Sequence, residues 1–133
     1  MKYLMFVFFL FPLNAQANNA LVNKQLAEKY AKDANVIAIR AFGLSGAKLS
    51  RYLVNGFTVY IDESIGTKQS FDCTGTAESA GKGLKDVVRK IISKDDASEK
   101  QLKFIEDKTP EINGMISNIQ NYTLYYCLFK TKG

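Results

Sequence analysis

Two cysteines, Cys73 and Cys127, are the residues of this 133-residue chain best placed to do chemistry. Their even count leaves one pairing, and in a protein that works outside the cytoplasm such a pair reads as a disulfide. The bond would close a loop of about 54 residues, worth on the order of 4 kcal/mol in the chain-entropy account. The chain has no histidine, so two thiols alone cannot complete a closed four-ligand zinc site. The lack of histidine also removes the commonest general base, and with it the usual serine and cysteine triads. Adjacent acids occur at Asp62-Glu63 and Asp95-Asp96. Glycosidase carboxylates must face each other across a substrate, whereas sequence neighbours on a helix point apart, so both pairs read as solvated helix ends. Gly75 and the Gly81-Lys82-Gly83 run approximate a phosphate-binding loop. One residue too many separates the first two glycines, and Gly83 stands where a Ser or Thr would hold magnesium. Asn121-Tyr122-Thr123 matches a glycosylation rule but falls inside a helically spaced segment, and reads as chance. Neither an enzyme nor a cofactor or metal site is expected.

The compartment is legible at the N-terminus. Lys2 supplies a positive start, Leu4–Phe11 form a short apolar run, Pro12 breaks it, and Ala15-Gln16-Ala17 gives the small-x-small pattern of a signal-peptidase site. The run is far below the ~20 residues of a permanent membrane span. Residues 1–17 are thus expected to be a signal peptide cut between Ala17 and Asn18, leaving residues 18–133 as one domain in the periplasm or secreted, without stable membrane insertion. The net charge is +5, one less without Lys2. Between Lys82 and Lys108 basic and acidic residues interleave without a basic block, which argues against a nucleic-acid partner and for a solvated mixed-charge surface.

The elements that would position the cysteines are helices. Val22, Leu26, Tyr30, Ala34, Ile37 and Ala41 recur at three- and four-residue steps over residues 21–42, with Gly43 as a left-handed stop. Leu49, Leu53, Phe57, Tyr60 and Ile61 suggest a second helix over 46–65, ended by Gly66. Asn55-Gly56 is also a hairpin signal, but the helical period extends beyond any short strand, and Gly56 would then let a neighbouring helix approach closely. Residues 67–80 are rich in Gly, Ser and Thr and read as a loop pinned by Cys73. Leu84, Val87, Val88, Ile91 and Ile92 mark a short helix. Asp96 and Glu99 form a capping pattern for a further helix that includes Leu102 and Ile105. Thr109-Pro110-Glu111 is a strong start signal, with Thr109 as cap, for a last helix carrying Met115, Ile119, Tyr122, Tyr126 and Phe129. Residues 122–129 also have strand-prone composition; the helical spacing is preferred. The expectation is an all-α domain of about five helices with one disulfide.

Four aromatics surround Cys127. Tyr122, Tyr126 and Phe129 read as core, and Tyr125 as an interface residue, because four aromatics over eight positions exceed one helix face. Loops held by a rigid helical scaffold carry recognition, so partner contacts are expected at Thr67, Lys68, Gln69 and Ser70 and at Lys94, Asp95 and Asp96.

The order of features, with Tyr52–Asp62, Phe71-Asp72-Cys73, Gly83–Lys90 and the late Cys127, resembles the small periplasmic immunity proteins of the Rap/Tai type, over roughly residues 48–128. That resemblance implies an exported helical protein that neutralises a peptidoglycan amidase delivered by type VI secretion, without turnover of its own. The expected function is therefore a protein-binding protein, an immunity protein or inhibitor that occludes a cell-wall hydrolase. The alternative is an envelope accessory or chaperone-like protein of a secretion, conjugation or stress system. Either role leaves room for a homodimer.

Overall fold

The computed structural model describes residues 15–65, 72–92 and 98–132, and among them the secondary structure is helical throughout. The helices are α1 (Ala15–Phe42), α2 (Leu44–Ile65), α3 (Cys73–Ile92), α4 (Glu99–Asp107) and α5 (Thr109–Lys132). None is long and apolar enough to cross a membrane. Residues 1–14 of the expected signal, and Gly66, lie outside the described residues. Ala17 and Asn18 fall in the first turn of α1, so a cut between them would leave that helix running Asn18–Phe42.

α5 is the axis of the domain, and every other described helix packs against it. Its inner face carries Ile112, Met115, Ile116, Ile119, Tyr122 and Cys127, all buried at the helical period. α1 lies antiparallel along it: Tyr30 stacks on Tyr125 at 5.7 Å between ring centroids, and at the other end Ile37 lies over Gly114. The contact face of α1 is small, with Ala27, Ala34, Ala38 and Ala41 buried, so the two backbones approach closely. Ala34 and Ala38 meet Met115 and Ile119 in one core cluster, which Leu53, Phe57 and Leu84 close from the other helices.

Gly43 adopts φ 66°, the left-handed conformation that ends α1 and lets α2 start at once. α2 then returns along α1, and Gly46 sits so close to the Ala38 carbonyl that a Cβ there would overlap it. Asn55-Gly56 forms no hairpin, and the residues around it are helical. Tyr122 and Tyr126 of α5 reach Thr58 and Asp62 of α2, an equal spacing that fixes the two helices as parallel. The Thr58 hydroxyl donates to the Val54 carbonyl at 2.7 Å and accepts from Tyr122. Tyr126 donates to Asp62 at 2.7 Å, with Lys130 nearby at 3.8 Å. Burial, chiefly, raises the hydroxyl pKa of both tyrosines, and Tyr126 is raised further by its bond to Asp62 and that carboxylate's charge.

The Cys73–Cys127 disulfide is present, with 5.5 Å between the Cα atoms. It ties the first residue of α3 to the last turns of α5, and Leu84 meets the Met115 region at the far end, so α3 and α5 are antiparallel. Ala77 and Ala80 are buried, and Gly81 presses so near Gln120 that a Cβ would collide with its side chain.

Three local expectations change. The loop expected over 67–80 is helical from Cys73 onward, because Asp72 caps it: its carboxylate accepts the Gly75 N–H at 2.9 Å, and its carbonyl accepts from Thr76. The cap of α4 is Ser98 with Gln101, in a reciprocal capping box, and not Asp96 with Glu99. Thr109 does not cap α5; its hydroxyl donates back to the Ile105 carbonyl of α4, and Lys108 alone separates the two helices.

Candidate functional site

α2 and α3 flank α5 and barely touch each other, so a trough stays open between them. It encloses about 970 Å³, the upper end of the size range of ligand pockets. The α2 wall is aromatic and aliphatic: Tyr52, Phe57, Val59 and Tyr60, with Leu53, Asn55 and Gly56 between them. The α3 wall is small: Gly75, Thr76, Ser79 and Ala80, closed at one end by Asp72. Each wall spans roughly 12 Å at the helical rise.

The local causes are visible in each helix. α2 carries more apolar surface than one core face can use. Val54, Thr58, Ile61 and Ile65 turn toward α5 and the disulfide cluster. Tyr52, Val59 and Tyr60 are left on the other side, and Tyr52 is 75% exposed. Leu49 and Tyr60, expected on the buried face, are 43% and 50% exposed respectively. Gly56 was expected to admit a neighbouring helix, but a Cβ there would meet nothing within 4 Å. On α3 the residues that face α5 are Cys73, Ala77, Ala80 and Gly81, which puts Gly75, Thr76 and Ser79 one step around the helix, on the open side.

Chemically the trough can hold apolar side chains against its aromatic wall and offer hydroxyl and amide groups at its margins. Among the described residues, Asp72 is the only carboxylate of its lining, and it is engaged in capping α3. The carboxylates Asp62 and Glu63 stand at the C-terminal end of α2, and Asp62 is bound to Tyr126 and Lys130.

The residues singled out as contact loops, Thr67, Lys68, Gln69 and Ser70 with Lys94, Asp95 and Asp96, lie outside the described residues. The loop expected over 67–80 would have included Asp72, Gly75 and Thr76, but these belong to the capped start of α3 and line the trough. Tyr125, set apart as an interface residue, is half-buried and stacked on Tyr30. Tyr122 is buried as expected, whereas Tyr126 and Phe129, also expected in the core, are only half-buried and in contact with each other. Thr123 of the glycosylation pattern is fully buried, with its hydroxyl donating to Ile119. Sequence reasoning missed the trough. Its signal was the surplus of apolar residues on α2 opposite a run of small residues after Cys73.

No protein-family model matches the chain, and no curated protein and no solved structure matches it significantly.

Proposed function

We propose that this protein is an exported binding protein that occludes a cell-wall hydrolase, acting as an immunity protein or inhibitor without turnover. The observation that carries the binding part is the trough between α2 and α3, where Tyr52, Val59 and Tyr60 stand exposed beside small residues. Contiguous exposed apolar surface of this kind marks interaction sites, and aromatic residues dominate interface energetics. The disulfide supports export, because such bonds persist in oxidising compartments. It also holds the α3 wall in place before a partner arrives, which lowers the ordering cost of binding. The hydrolase as target rests on the resemblance of Tyr52–Asp62, Phe71-Asp72-Cys73 and the late cysteine to the Rap/Tai pattern.

The test is co-expression in the periplasm with each secreted hydrolase encoded beside the gene. Suppression of lysis by this protein, with a stable complex on gel filtration, is the expected result. Equal lysis with and without it, for every such hydrolase, overturns the inhibitor reading in favour of an envelope accessory role.

A further inference from the structure

The walls of the trough run in opposite directions, since α2 is parallel to α5 and α3 antiparallel to it. The C-terminal end of α2 therefore faces the capped start of α3 beside the disulfide. The N-terminal end of α2 faces the later turns of α3. At about 100° per residue, Lys48 and Glu63 fall on the same face of α2 as Tyr52, Gly56 and Val59, at its two ends. On α3, Asp72 marks the disulfide end, and Lys82 follows the line of Gly75 and Ser79 at the other. All four charged residues are exposed. Asp86, also toward the far end, is neutralised by Arg89 at 2.9 Å. The rim is thus acidic at the disulfide end, where Glu63 adds to the capping carboxylate of Asp72, and basic at the other (Lys48, Lys82), over roughly 22 Å along α2.

We infer that the trough receives an amphipathic α-helix of the partner protein, three to four turns long, with its N-terminus at the disulfide end. This rests on the trough being the protein-binding surface. A helix carries about half a positive charge at its N-terminus and half a negative charge at its C-terminus, so in this direction its dipole meets Glu63 and Asp72 at one end and Lys48 and Lys82 at the other. An extended peptide has no such dipole, and it finds no strand edge here, since the wall residues are helical. An acyl chain gains nothing from a rim of opposite charges. Room for a helix is present along the α2 wall, where a Cβ at Gly56 would meet nothing within 4 Å.

The test places a benzophenone side chain at Tyr52 or at Tyr60 of the full chain in its native periplasm and maps the cross-linked peptides. Both positions should reach one segment of a different protein, the Tyr60 adduct lying about eight residues N-terminal to the Tyr52 adduct. The reverse order, adducts only to a second copy or to phospholipid, or no adduct, overturns the inference. With that partner purified, combining Lys48→Glu and Glu63→Lys should weaken binding about tenfold at low salt while leaving the melting temperature unchanged. Unchanged affinity also overturns it. If the partner still binds but gives no adduct at Tyr52 or Tyr60, this inference fails while the protein-binding reading stands; if no partner binds, both fall.

Discussion

Small residues line two faces of this molecule, with opposite outcomes. On α1, Ala27, Ala34, Ala38 and Ala41 are covered by neighbouring helices, and the short side chains let α1 and α5 pack closely. On α3, Gly75, Thr76 and Ser79 are also small, yet the helix they face, α2, stays across an open trough. Residue size is therefore permissive and does not by itself bring helices together. The difference lies in tethering. α1 is drawn to α5 by a continuous apolar seam and to α2 through the Gly43 turn, with Gly46 against Ala38. α3 is held by α5 and the disulfide, and among the described residues nothing comparable draws it to α2. The covered face supplies stability, and the uncovered face stays open.

Opening the disulfide should break this contrast most severely. Cys127→Ala or Cys73→Ala is expected to cost about 4 kcal/mol and to lower the melting temperature by roughly 10–20 °C, read by calorimetry. Hydrogen exchange should then show α3 losing protection before α1 and α5, since the tether acts on the trough wall. Equal loss in all three helices would mean the wall is not held separately.

A leucine on each small face sharpens the comparison. Ala38→Leu, at a side chain 1% exposed, should cost about 1–3 kcal/mol through overpacking, whereas Ser79→Leu should stay within about 0.5 kcal/mol by denaturant unfolding. Tyr122→Phe removes the bond to Thr58 at the α2–α5 seam and should cost about 1 kcal/mol.

A smaller effect is alkaline. Tyr122 and Tyr126 have hydroxyl pKa values raised in the folded state, so the native protein holds these protons more tightly than the unfolded chain. Their contribution is fully present below about pH 10, the ordinary tyrosine value, and is lost as pH rises through the raised folded values. Melting temperature should therefore decline above about pH 10, less steeply in Tyr126→Phe than in the parent. An identical slope in the variant would remove Tyr126 from the account.

Much of the fold was legible. Gly43 and Pro110 each announce a boundary through a local backbone constraint, helical spacing marks the extent of α1 and α2, and an even count with the expected export suggested the cysteine pair. What misled was composition. The Gly, Ser and Thr content after Cys73 suggests a loop, but small residues also suit a helix packed closely on one side, and Asp72 supplies the cap that starts it. At α4 two capping patterns overlap, Asp96 with Glu99 and Ser98 with Gln101; the structure uses the second, a choice local rules leave open. The trough was illegible because it depends on the gap between α2 and α3, a tertiary quantity. Only the apolar surplus on α2 hinted at it.

The central claim is that the uncovered face binds the partner and the covered face does not. Its most direct measurement is titration calorimetry of any hydrolase whose lysis co-expression suppresses, against the parent and a Val59→Asp variant. Val59 is 53% exposed, so the variant should keep the parent's melting temperature and helical content. The account predicts that its affinity falls by at least about a hundredfold, as for a charge buried in a hot spot. Parent-like affinity in a correctly folded Val59→Asp protein would contradict it.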